Sequence, residues 1–126
     1  KHLIEDGMPA WGTCAGMIVL ADEISDGVPD PLKVIDIKVK RNAYGSQKES
    51  FESNINIAFA TGHGDSFRGV FIRAPAIENL GAAVIPLAYL DSDNVVAAQE
   101  ARVMVTSFHP ELTQDTRFHE YFLSVL

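Results

Sequence analysis

Cysteine is nearly absent. Cys14 is the one thiol in 126 residues, so no disulfide can form within the chain, and a reducing, cytoplasmic setting is expected. Long apolar runs are missing as well. Nothing approaches the roughly 20 residues a membrane helix needs, and the opening "KHLIEDGMP" lacks the apolar stretch of a signal peptide. No membrane partner is expected. Positive charge is scarce: ten basic against seventeen acidic residues leave a net charge of -7, which argues against nucleic acid as a partner. There is no CxxC, no Walker A and no GxGxxG, so zinc, nucleotide phosphate and dinucleotide each lack an anchor. Repeats, low-complexity tracts and long linkers are also missing, and residues 1–126 read as one folded unit.

What is there suffices for a core, with 47% apolar residues. "VIDIKVK" (34 to 40) alternates, with Ile35, Ile37 and Val39 on one side and charges on the other, the pattern of a half-buried strand. "GVFIRA" (69 to 74), "AVIPLAYL" (83 to 90, weakened by Pro86), "NVVAAQ" (94 to 99) and "ARVMVTSF" (101 to 108) are further strands, the last two spaced as a hairpin. One helix is expected from Ala15 to about Ile24. A second is expected from Asp115 to Val125, where Phe118, Tyr121, Phe122 and Val125 recur at helical spacing. The rest reads mostly as loop.

The thiol sits in "GTCAG", a G-x-nucleophile-x-G pattern that fits a sharp strand-to-helix turn lifting the central side chain clear of the backbone. The flanking glycines make room, the helix N-terminus favours thiolate, and the N–H of Ala15 can donate to an oxyanion. A small buried cysteine packed beside glycines accounts equally well for the pentapeptide alone.

A cysteine nucleophile needs a base, and the chain offers His2, His63, His109 and His119. His109, in "SFHPEL", follows the most apolar strand, so its ring emerges at a strand end, where α/β enzymes build their sites. Pro110 biases it toward extended backbone, in which residues two apart share a side, so Glu111 can reach and orient the imidazole. An ordinary turn histidine with a solvated glutamate is the plainer account of "HPE". His63, in "TGHGD", fits a surface loop better than a metal site, His119 an exposed helical position, and His2 a chain end.

Cysteine first and His-x-Glu much later resembles the class I (triad) glutamine amidotransferases. "WGTCAGMIVLA", "RNAYGSQKESFE", "GVFIRAP" and "TSFHPELTQDTRFHEYFL" narrow the resemblance to the glutaminase subunit family of pyridoxal 5′-phosphate synthase, called PdxT or SNO. The resemblance implies that Cys14 attacks the carboxamide of L-glutamine, His109 moves the proton and Glu111 holds His109. It also implies that Arg41, Ile72 and Arg73 line the glutamine pocket. Read from the residues alone, both arginines are surface charges. Ammonia would pass to a synthase subunit of the PdxS family in a large hetero-oligomer, with no metal or organic cofactor in the glutaminase step.

The implied fold class is α/β, a three-layer flavodoxin-like arrangement with a mixed, mainly parallel sheet. The resemblance further implies that residues 1–126 correspond to the C-terminal portion of the glutaminase domain, with the family's N-terminal strands expected to be absent from this chain and residues 1 to 8 expected to end the helix and loop before the elbow strand. "NINIAFATGHGDSFRG" looks longer than the compact connection common in bacterial members of the family. Two rival readings stay open. A general cysteine hydrolase of similar architecture would not need "RNAYG" or "FIRAP", and a non-catalytic or regulatory subunit would not need the full set Cys14, His109 and Glu111.

Overall fold

The structure, a computed structural model, describes residues 1–25, 30–41, 50–59 and 64–126. His63 and most of the "RNAYG" block therefore lie outside the described residues.

A short helix α1 (His2–Glu5) leads into β1 (Ala10–Thr13), and Cys14 separates β1 from α2 (Ala15–Leu20). There follow β2 (Ala21–Ile24), β3 (Ile35–Lys40), β4 (Ser50–Ile57), β5 (Ser66–Ile72), β6 (Ala76–Leu80), β7 (Ile85–Asp91), β8 (Asn94–Glu100) and β9 (Val103–Thr106). A 3₁₀ turn (Pro110–Leu112) and α3 (Arg117–Val125) complete the order. The larger sheet runs β1-β9-β8-β7-β4-β5 and the smaller β2-β3-β6.

The α/β class and the mixed sheet agree with the expectation, but the parallel share is smaller than expected. Among the described ladders only β1–β9 and β2–β3 are parallel. The others are antiparallel. The reason is connection length: the links between β7, β8 and β9 are hairpin turns, which can join only antiparallel neighbours, whereas a parallel pair needs a crossover.

The expected strands are present with shifted ends, and β8 and β9 pair as a hairpin. The first helix stops early. Ala21 turns extended (φ -62°, ψ 161°) and "ADEI" becomes β2, paired in parallel with β3. The last helix begins at Arg117 because Asp115 Oδ1 accepts the Arg117 N–H at 3.1 Å, ending the loop there. β4 and β6 occupy stretches read as loop.

The large sheet is covered on both faces, which makes β9 buried at every position. Val103 and Val105 face α2 and the small sheet, in a cluster with Met17, Leu20, Ile35, Ile37 and Val39. Met104 belongs to the opposite cluster with Phe67, Phe71, Phe108 and Phe118 of α3. Edge-to-face contacts join Phe118 to Phe67 and Phe108 at centroid distances of 5.0 and 5.1 Å. This aromatic wedge fixes the segment after β9, and with it His109. Among the described residues no helix is long and apolar enough to cross a membrane.

Candidate active site

Gly12 explains how the turn after β1 is built. A Cβ on it would come within 2.5 Å of the Gly16 carbonyl oxygen and 2.9 Å of Leu20 Cδ1, so α2 can lie this close to β1 only if residue 12 has no side chain. Gly16 has no such demand, since a Cβ there meets nothing within 4 Å. The expectation that both glycines make room thus holds for Gly12 alone.

Cys14 sits at φ 52° and ψ -107°, a backbone state that L-residues avoid. Its N–H donates to the Thr106 carbonyl at 2.8 Å, extending the β1–β9 ladder by one bond, and its carbonyl accepts the Met17 N–H at 3.0 Å, opening the helix. Two anchors on one residue hold a strained conformation that costs about 1–3 kcal/mol. Such strain concentrates at functional sites.

The far edge of the sheet supplies the other wall. Carbonyls two residues apart on a strand leave by the same edge. On β5 the Val70 carbonyl accepts the His109 N–H at 2.8 Å, and the Ile72 carbonyl accepts the Cys14 thiol at 3.4 Å. One strand edge therefore grips both the cysteine and the histidine. Arg73, next along, is also left-handed (φ 46°).

The His109 Nδ1 and Glu111 Oε2 atoms lie 2.7 Å apart. Glu111 is nevertheless not on an extended segment: Pro110–Leu112 is a 3₁₀ turn, and the carboxylate reaches the ring across that turn. His109 itself stays non-helical (φ -108°, ψ 87°), as its proline neighbour requires. With Nδ1–H donated to the carboxylate, Nε2 keeps its lone pair.

The ends of β1, β5 and β9 thus gather Cys14, Ala15, Ile72, Arg73, His109 and Glu111. Arg41 comes from the small sheet, on the first residue past β3, and is exposed. Lys40 pairs with Ala76 as the last rung of the β3–β6 ladder, and Arg41 is the turn residue that follows it. The other histidines are elsewhere. His2 is exposed on α1. His119 is half-buried with its ring 5.0 Å from Trp11, and its Nδ1 is buried with no hydrogen-bond partner among the described residues, unlike the exposed position expected. Among the described residues no three His, Cys, Asp or Glu side chains are grouped to hold a metal ion.

The thiol is not the ready thiolate that the helix start suggested. Burial pushes the Cys14 pKa up, the Ala15 N–H pulls it part of the way back, and the Glu111 charge raises it again. A six-residue helix does not outweigh that burial. Burial therefore disfavours the thiolate relative to an exposed cysteine. Iodoacetamide should label Cys14 more slowly than an exposed cysteine at pH 7, with a midpoint of the rate against pH above that of the exposed thiol. Glu111→Gln removes the one charge that raises the Cys14 pKa, a smaller cause than burial, and should lower that midpoint slightly. A wild-type midpoint at or below that of a free cysteine would contradict this electrostatic account.

Sequence reading missed the Val70 carbonyl and the side chain of Thr106. A backbone acceptor leaves no mark in residue identity, and Thr106 was visible only as the first letter of "TSFHPEL".

A family model described as "SNO glutamine amidotransferase family" matches residues 1–126. The chain is 53% identical over 125 residues to "Pyridoxal 5'-phosphate synthase subunit PdxT" of Roseiflexus sp. (strain RS-1), covering 97% of this chain and 65% of that protein. It is 53% identical over 126 residues to the protein of the same name from Pyrococcus furiosus, covering 98% and 62%. A solved structure titled "Crystal structure of glutamine amidotransferase" superposes with a TM-score of 0.86 at 44% identity, covering 97% of this chain and 63% of that one. The chain spans a little under two thirds of the length of these curated relatives.

Proposed function

The chain belongs to the SNO glutamine amidotransferase family, and from that premise we propose that it carries the thioester chemistry of a glutaminase that releases ammonia from L-glutamine. The observation that carries this reading is the grip of one β5 edge on Cys14 and His109, with Glu111 2.7 Å from the far side of the imidazole.

The chemistry follows from those positions. His109 Nε2 takes the Cys14 proton as sulfur attacks the carboxamide carbon, and the resulting imidazolium is stabilised by Glu111. The Ala15 N–H, which already faces the sulfur, donates to the developing oxyanion. The C–N bond breaks as His109 returns its proton to the nitrogen, leaving a glutamyl thioester and ammonia. Water, deprotonated by His109, then attacks the thioester and releases glutamate, and the thiol is restored. A base is needed at the first step because the Cys14 proton is held above its usual range.

Arg41 and Arg73 suit the α-carboxylate of glutamine, since a guanidinium can pair with it through two parallel N–H bonds. Ile72 presents backbone to the ligand. The name shared by the curated relatives supports a partner: a synthase subunit of the PdxS family that consumes the ammonia in building pyridoxal 5′-phosphate. We read the complex as a cytoplasmic hetero-oligomer. The test is to combine the complete gene product with that synthase subunit and measure glutamate and ammonia. Equimolar release from glutamine, without hydrolysis of generic esters or peptides, is the expected result. Ester or peptide hydrolysis without glutamine turnover would favour a general cysteine hydrolase.

A further inference from the structure

We propose that Thr106 is a positioning residue whose buried hydroxyl holds the nucleophile strand and the base-bearing segment in one frame, an inference that rests on the glutaminase reading above. Thr106 is the last residue of β9, pairs with Thr13 in the parallel ladder, and is fully buried. Its carbonyl accepts the Cys14 N–H at 2.8 Å. Its Oγ1 accepts Trp11 Nε1–H at 3.2 Å and donates to the Phe108 carbonyl at 3.3 Å.

Each bond reaches a different part of the machinery. Trp11 lies on β1, three residues before Cys14. Phe108 immediately precedes His109, and its ring is wedged against Phe67, Phe71 and Phe118. One hydroxyl thus bridges the strand that delivers the sulfur and the turn that delivers the imidazole. Packing alone would be served as well by valine, which has the same shape and no hydrogen-bonding group. Valine would leave Trp11 Nε1 and the Phe108 carbonyl without this partner, and both groups would shift to find others. Small displacements between nucleophile and base act on the chemical step more than on ligand binding.

The test uses the complete gene product with its synthase subunit. Thr106→Val should lower kcat for glutamine about tenfold while leaving KM within about twofold, and should shift the pH profile of Cys14 alkylation. Thr106→Ser, which keeps the hydroxyl, should recover most of the lost kcat. Trp11→Phe removes one of the two hydroxyl partners and should give a smaller fall in kcat with the same shift in profile, which decides the matter if Thr106→Val does not fold. A folded Thr106→Val, or failing that a folded Trp11→Phe, with wild-type kcat and wild-type alkylation profile overturns the proposal. Wild-type protein that does not turn over glutamine refutes the glutaminase reading instead. The alkylation profiles, which need no glutamine, still report whether Thr106 positions the thiol.

Discussion

Cys14→Ala is expected to lower glutamine hydrolysis by at least about 10⁴-fold, the order of loss seen when the nucleophile of an acyl-transfer triad is removed. No other side chain gathered at this site can take over, because His109 and Glu111 are held against each other and Arg41 and Arg73 are cations. Without sulfur there is no thioester, and water would have to attack an unactivated amide directly. Glutamine affinity should survive, since the groups suited to binding it lie on the β3 and β5 ends. Steady-state ammonia release and calorimetric titration of the variant check the two halves of this expectation. A variant with substantial turnover would remove Cys14 from the mechanism.

His109→Asn is expected to cost roughly 10²–10⁴ in kcat, the usual worth of a positioned acid–base group. A figure at the upper end is expected because, in the proposed mechanism, the same ring both removes a proton from a thiol whose pKa is raised by burial and delivers it to the leaving nitrogen. Asparagine keeps a polar side chain of similar reach, and the backbone bond from residue 109 to Val70 is untouched. The fold should therefore hold, as circular dichroism would verify. Raising the pH should partly rescue the first half-reaction, since hydroxide can generate thiolate where the imidazole no longer does. A variant of near-normal rate would return "HPE" to an ordinary turn.

The sequence was most legible where one physical signal dominated. β3 alternates without interruption because one face meets α2 and the other faces outward, and its pattern was visible residue by residue. β8 and β9 were equally plain, being short apolar runs separated by a tight turn at Ala101 (φ 53°). β2 was lost because "ADEI" continues an apolar helix with no proline or glycine to end it, and only pairing with β3 draws it out. β4 did carry a signal, since Ile55 and Ile57 alternate inward, but Ser50, Ser53, Asn54 and Asn56 around them read as loop. β6 has no fully buried position and depends on β3 for its identity.

The candidate site was legible in its side chains and illegible in its frame. "GTCAG" and "HPE" announced a turn and a charge pair, yet the strand edge that brings them together is made of carbonyls. The direction of the Cys14 pKa is hidden from the sequence for a related reason. A helix start can be seen in sequence, whereas the burial that opposes it depends on β5 closing over the sulfur from 58 positions away.

The most direct measurement is to treat the complete gene product, with its synthase subunit, with a glutamine analogue in which a chloroketone replaces the carboxamide, and to map the adduct by peptide mass. The account predicts a single adduct on Cys14 that excess glutamine prevents and that His109→Asn slows. An adduct on another residue, or one on Cys14 that forms just as fast in the presence of glutamine, would contradict it.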